Sequence, residues 1–200
     1  MTFEGIDGSG KSTNIEPLRQ ALTGRGHEVV VTREPGGTPL GEKLRAILIN
    51  DPMDPLTEAL LMFAVRKEHL TQVIEPALSR GAVVICDRFT DSSFAYQGGG
   101  KNVDWQTLAE LESMVQTVKP DLTLWFDIDP AVAAQRRSQA RQADKFESEE
   151  ESFFERVRQG YARRAANSFG RIVRIDASKG QHEVWQDVRN TVLNAKFYKL

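Results

Sequence analysis

Short apolar runs alternate with longer stretches of helical period from one end of the chain to the other. The runs fall at 1–4, 28–32, 82–87, 122–127 and 171–176, and three of them (VVICD, LTLWFD and RIVRID) read as nearly continuous apolar strands. Runs of that kind predict parallel strands covered on both faces. Between them, the spacing of apolar residues predicts helices at 11–24, 40–50, 56–79, 104–117, 130–141, 150–166 and 182–195. Strand and helix alternate throughout, which predicts a doubly wound α/β fold with right-handed crossovers. Asp104 and the pair Asp129-Pro130 stand where helices should start. Gly26, Gly81 and Gly170 stand where helices should end before the next strand. Pro17 falls inside the first predicted helix and should kink or loosen it. Only four residues precede Gly5, so the first strand is expected to be short. No repeat, low-complexity tract or linker divides the chain, and one domain over 1–200 is expected.

Two hundred residues suffice to bury a sizeable core without staples. Lys plus Arg is 26 and Asp plus Glu is 28, a net charge of −2. That balance argues against a protein that coats nucleic acid or an anionic membrane, since such surfaces need a basic excess. No apolar run approaches the roughly 20 residues that span a bilayer, and the opening MTFEGIDGSGK has no basic region followed by an apolar stretch. The lone cysteine, Cys86, can form no internal disulfide, and its apolar neighbours suit a buried thiol. A soluble, cytoplasmic protein with neither nucleic acid nor membrane as a partner is the expectation.

One segment carries specific chemistry. Gly5-Ile6-Asp7-Gly8-Ser9-Gly10-Lys11-Ser12-Thr13 matches G-x-x-x-x-G-K-[ST] between a predicted strand and a predicted helix. Glycines let a loop wrap an anion, and successive N–H groups converge at the helix N-terminus. Lys11 can then reach the outer phosphates of ATP, and the Ser12 hydroxyl can join a Mg²⁺ shell. Two later strands end in acid, at Asp87 and Asp127. Ligands of open parallel sheets sit at the carboxyl ends of strands. Either aspartate can therefore reach the metal, directly or through water, or else cap the turn that follows. The base-reading N-K-x-D of GTPases is missing, and the chain is shorter than the large motor ATPases. Many arginines in the second half instead suggest a kinase for a small phosphate-bearing acceptor.

Thr32-Arg33-Glu34-Pro35-Gly36-Gly37-Thr38, Leu61-Met62-Phe63-Ala64-Val65-Arg66, and the D-R-F-x-x-S-S-x-A-Y-Q segment from Asp87 to Gln97 narrow the acceptor. Together with the glycines at 98–100 and the P-D-L-T-L run at 120–124, these segments closely resemble those of bacterial thymidylate kinases over essentially the whole chain. The resemblance implies a P-loop fold of the nucleoside monophosphate kinase type, with a five-stranded parallel sheet and helices on both faces. It also implies phosphorylation of dTMP to dTDP by ATP and Mg²⁺, and a homodimer to which the helix at 56–79 contributes through Leu60, Leu61 and Phe63.

The same resemblance assigns expected roles. Arg33 and Arg88 would hold the acceptor phosphate and the transferring group, for which planar guanidinium groups suit two-point contact. Phe63 would stack on thymine, with Met62 as the neighbouring choice of register, and Arg66 would donate to a base carbonyl. Ser93 would touch the base, Tyr96 would lie against the sugar and disfavour a 2′-hydroxyl, Gln97 would complete the dTMP site, and Asp7 would approach its sugar and phosphate end. Residues 136–150 would form a lid over ATP. Gly8 stands where one branch of the family carries a P-loop arginine, so Arg136 or Arg141 from the lid would supply that charge. Lys145 replaces an arginine of the family's lid pattern. A kinase for another nucleotide or nucleoside, or a non-catalytic nucleotide sensor, are the alternatives.

Overall fold

A computed structural model describes residues 1–138, 146 and 149–195. The elements in order are Thr2–Glu4 (β1), Lys11–Thr23 (α1), Val29–Arg33 (β2), Pro39–Asn50 (α2), Pro55–His69 (α3), Glu75–Ser79 (α4) and Val83–Asp87 (β3). Thr90–Ser93 (α5), Trp105–Val115 (α6), Thr123–Asp127 (β4), Pro130–Ser138 (α7), Glu151–Ala166 (α8), Ile172–Asp176 (β5) and Gln181–Leu193 (α9) follow. A π-helical turn at Leu70–Ile74 joins α3 to α4, so the single long helix expected at 56–79 contains one widened turn. A second π-helical stretch, Phe94–Gly100, continues α5. The sequence had suggested no helix there.

All five strands described are parallel, in the order β2-β3-β1-β4-β5. The three residues of β1 therefore lie at the centre, and the chain reverses its lateral direction around them. That reversal opens a crevice at the carboxyl ends of the strands. Burial follows position in the sheet. Every residue of β1 and β4 is buried, whereas β2 and β5 are edge strands with exposed positions. RIVRID is therefore not covered on both faces as its composition suggested, and Arg174 reaches outward from it.

The main core packs Phe3 and Phe126 from the central strands, their rings 5.4 Å apart, against Leu18 and Leu22 of α1. Val157 and Tyr161 of α8 and Val184 and Val188 of α9 join it. Two smaller clusters cover the remainder. Leu70, Ile74 and Ala77 seal Val84 and Cys86, and Phe63 packs with Ala59, Phe94 and Leu108. Cys86 is a buried thiol, as expected. Helix starts are capped where the sequence marks them: Thr107 N–H donates to Asp104 at 2.9 Å and Ala131 N–H to Asp129 at 2.9 Å. Gly26, Gly81 and Gly170 adopt φ of 89°, 84° and 85°, a region that favours glycine. Pro17 sits inside α1. Among the described residues, no helix is long and apolar enough to cross a membrane.

Candidate active site

The loop after β1 is built from glycines for steric reasons. Gly5 has φ +137°, and a Cβ there would lie 2.5 Å from the Phe126 carbonyl oxygen. Gly8 has φ +86°, and a Cβ there would lie 2.5 Å from the Ala133 carbonyl oxygen of α7. Gly8 thus does more than leave the loop without an arginine, because α7 packs where any side chain would begin. Lys11 is buried, and its Nζ donates to the Gly5 and Ile6 carbonyls at 2.9 and 3.1 Å. Burial and then Arg88 push its pKa down, against the pull of Asp7, Asp87 and Glu4. Thr13 closes the helix start by donating to Gly10 O at 2.7 Å.

Beside this loop lies an open cavity of about 320 Å³. Asp7, Lys11, Ser12 and Asp87 line its phosphate-loop end. Ser12 Oγ donates to Asp87 Oδ2 at 3.2 Å, while Asp87 Oδ1 is buried with no hydrogen-bond partner among the described residues. An unpartnered carboxylate oxygen beside the loop's serine suits a Mg²⁺ held by one carboxylate, a hydroxyl and phosphates. Asp127 does not line the cavity. Its carboxylate is clamped by Arg158 at 2.6 Å and Arg174 at 2.6 Å. Burial pushes its pKa up, but these two arginines hold it below the ordinary carboxylate value.

Arg33 and Arg88 line the middle of the cavity. Arg33 is half exposed at the end of β2, with one Nη bonded to Glu42 at 3.0 Å. Arg88 follows β3 with φ 67°, a rare backbone for a non-glycine residue and a mark of functional sites. Its guanidinium pairs with Asp7 at 2.9 Å and donates to Ser92 Oγ, Tyr161 Oη and Tyr96 Oη at 3.2, 3.3 and 3.1 Å. Behind it sits Glu4, fully buried in β1. Glu4 accepts from Phe89 N–H at 2.8 Å, from Ser92 Oγ at 2.5 Å and from Tyr161 Oη at 3.1 Å. Burial, and next the charge of Asp91, push the Glu4 pKa up from 4.5 to about 7. Asp91 itself is held below its ordinary value, burial notwithstanding, by bonds from Arg171 and Arg164.

The far end of the cavity is formed by Met62, Arg66, Ser93, Tyr96 and Gln97. Arg66 Nε pairs with Glu34 at 2.8 Å and its Nη2 donates to Ser93 Oγ at 3.1 Å. Gln97 donates to the buried Glu58 at 2.9 Å. Phe63 is a correction. It shares a face with Arg66, whose guanidinium carbon lies 4.7 Å from its ring centre, but that face is the interior, and Phe63 is 1% exposed. Met62, one residue earlier and rotated about 100° around the helix axis, is the side chain that reaches the cavity. The same burial removes Phe63 from any dimer surface, whereas Leu56 and Leu60 are exposed on α3.

Of the residues expected to form a lid, 136–138, 146, 149 and 150 are described. Arg136 lies on α7, does not line the cavity, and donates to Ala177 O at 3.0 Å. Arg141 and Lys145 lie outside the described residues. Phe146 lines the cavity, with Lys101 Nζ 4.9 Å from its ring centre. Sequence reasoning missed Glu4, Glu34 and Arg45 as parts of the site. Glu34 stood inside a quoted motif without a role, and nothing local marks Arg45, which lines the cavity and donates to Pro35 O at 2.9 Å.

A phosphate loop after the central strand, with an arginine-lined cavity beside it at the strand ends, defines a P-loop kinase fold of the nucleoside monophosphate kinase type. The family described as Thymidylate kinase matches residues 3–188. The thymidylate kinase of Burkholderia cenocepacia is 54% identical over 197 residues, covering 96% of each chain. That of Albidiferax ferrireducens is 53% identical, covering 96% of this chain and 94% of its own. The crystal structure of thymidylate kinase from Ehrlichia chaffeensis aligns with a TM-score of 0.80 at 34% identity, covering 96% of both chains. This chain belongs to the thymidylate kinase family.

Proposed function

We propose that the protein transfers the γ-phosphoryl group of ATP to dTMP, giving dTDP and ADP. The observation that carries this reading is the junction of two differently built ends in one cavity: Lys11 and the phosphate loop at one, Arg66 with Ser93 and Tyr96 at the other. The loop N–H groups and Lys11 receive the ATP phosphates. Arg33 and Arg88 hold the acceptor phosphate, and Asp7 orients Arg88 from the side. An oxygen of the dTMP phosphate attacks the γ-phosphorus in line as the bond to the ADP oxygen breaks. That oxygen is already ionised at neutral pH, so no general base is required. Catalysis is then positioning and stabilisation of spreading negative charge. Ser12 and Asp87 would hold Mg²⁺, which when bound neutralises phosphate charge. Met62 packs on the base, Arg66 donates to a base carbonyl with Ser93 steering it, and Gln97 and Tyr96 bound the sugar side.

Within a single domain, Arg136 of α7 would supply lid charge to the ATP side, and the other candidate for that role, Arg141, lies outside the described residues. The exposed Leu56 and Leu60 suit a homodimer contact. The reading places the protein in the cytoplasm, where its nucleotides are, with no nucleic-acid partner. An ADP-release assay with dTMP, dUMP, UMP, CMP and AMP as acceptors tests it. dTMP should be preferred, with dUMP poorer but used, since one buried methyl contributes only about 1 kcal/mol. Equal use of UMP would contradict the role of Tyr96. Preference for CMP or AMP would favour a kinase for another nucleotide, and ATP binding without turnover would favour a sensor.

A further inference from the structure

Behind the base end of the cavity runs a chain of four polar side chains, Arg66, Glu34, His69 and Thr32, of which the first two line the cavity and the last two do not. Arg66 is 2% exposed, Glu34 4% and His69 0%. Glu34 uses one carboxylate oxygen for Arg66 Nε at 2.8 Å and the other for His69 Nδ1 at 3.0 Å. A carboxylate in this role only accepts, so Nδ1 must carry the proton. In the neutral imidazole, Nε2 is then the acceptor for the Thr32 hydroxyl, 2.6 Å away. The loop after β2 is shaped around this contact. Gly37 has φ +79°, and a Cβ there would lie 2.6 Å from His69 Nε2 and 2.9 Å from Thr32 Oγ1. The guanidinium carbon of Arg66 lies 4.7 Å from the ring centre of Phe63 and 5.2 Å from that of Phe89. Its Nη2 is committed to Ser93, while Nη1 is buried with no acceptor among the described residues.

From this geometry we infer that His69, held by Thr32, is a positioning residue for base recognition: it fixes the Glu34 carboxylate, and thereby the one orientation in which Arg66 keeps Nη1 for the incoming base. The inference rests on the dTMP reading above and names residues that reading does not use. The physical reason is the freedom a lone carboxylate would have. With the oxygen that faces His69 released, Glu34 turns about its terminal bond and takes Nε and Nη2 together, in competition with Ser93. The guanidinium then has more than one orientation, and Nη1 is no longer presented as a fixed donor. A donor-only group there favours a pyrimidine with a carbonyl at position 4 over one with an amino group, so loosening it should cost discrimination as well as affinity.

The test uses the full-length protein and compares His69→Phe, His69→Gln and Thr32→Val. His69→Phe fills the space of the ring without its hydrogen bonds. It should raise KM for dTMP about tenfold, the ordinary scale for a lost hydrogen bond to a charged group. KM for ATP should stay within about twofold and kcat within about threefold of wild type, with the dTMP over dCMP preference narrowed several-fold. His69→Gln can donate to Glu34 and accept from Thr32, and it should recover most of the dTMP affinity. Thr32→Val keeps the strand and the shape, and it serves where His69→Phe does not fold; it should give an intermediate rise in KM for dTMP alone. A merely structural role would lower the melting temperature and move both KM values together without changing base preference, and that result overturns the inference. So does a wild-type KM and base preference in both His69→Phe and Thr32→Val. A wild-type protein that ignores dTMP but phosphorylates another acceptor overturns the dTMP reading first, and this inference with it.

Discussion

Glu4→Gln isolates the buried carboxyl on which the Arg88 cluster is built. Glu4 lies in the central strand, 0% exposed, and burial with the neighbouring Asp91 raises its pKa from 4.5 to about 7. For an acid whose folded pKa is raised, the stabilising contribution is full below the unfolded value, near 4.5, and is lost as pH rises through the folded value, near 7. A shift of that size corresponds to about 3 kcal/mol, at roughly 1.4 kcal/mol for each pH unit. The glutamine keeps the shape, carries no charge and mimics the protonated acid: its amide can donate toward Ser92 and Tyr161 while its oxygen accepts from Phe89 N–H. Urea unfolding of both proteins at about pH 5 and about pH 8 measures the effect, with the slopes compared to confirm that the same surface is exposed. The stability of Glu4→Gln relative to wild type should rise by about 2.5 kcal/mol between the two pH values, part of the total being already lost at about pH 5. A difference that stays constant across that range would show that Glu4 titrates in its ordinary place and that the charge balance derived around Arg88 is wrong.

Gly8→Ala should destabilise the protein by about 2–4 kcal/mol, combining a positive φ with a Cβ pressed on the Ala133 carbonyl; a variant as stable as wild type in urea would refute the close approach of α7 to the loop. For the same reason Gly8→Arg is no simple transplant of an arginine, and it should unfold at lower urea than wild type. Arg33→Ala should raise KM for dTMP by about 10- to 100-fold with little change in KM for ATP, since the removed contact is to the acceptor phosphate. Equal weakening of both substrates in steady-state kinetics would contradict that assignment.

Much of this architecture was legible because parallel strands and amphipathic helices leave strong local periods. The five strands, the phosphate loop, the helix caps at Asp104 and Asp129 and the glycine turns all rest on neighbours close in sequence. What was not legible depended on distant partners. Asp127 looked like a metal candidate because its clamps, Arg158 and Arg174, lie 31 and 47 residues away and only converge in three dimensions. Met62 and Phe63 are adjacent and both apolar, so periodicity alone could not decide which faces the cavity. The glycines at 98–100 carried no predicted element, yet they lie in a π-helical stretch pressed against α8, where a Cβ at Gly99 would lie 2.7 Å from the Arg156 carbonyl oxygen. Glycine there serves close packing. The Glu4 and His69 networks were invisible for the same reason as Asp127: each joins strand to helix across more than 30 residues.

Transfer of label from γ-phosphate-labelled ATP tests the central claim most directly. The protein is incubated with labelled ATP, Mg²⁺ and dTMP, and the nucleotides are separated. The account predicts label in dTDP, one ADP formed for each dTDP, and loss of transfer by about a thousandfold or more in Lys11→Ala with the fold intact by circular dichroism. Label released as inorganic phosphate with no dTDP, or transfer to dTMP undiminished in Lys11→Ala, would contradict it.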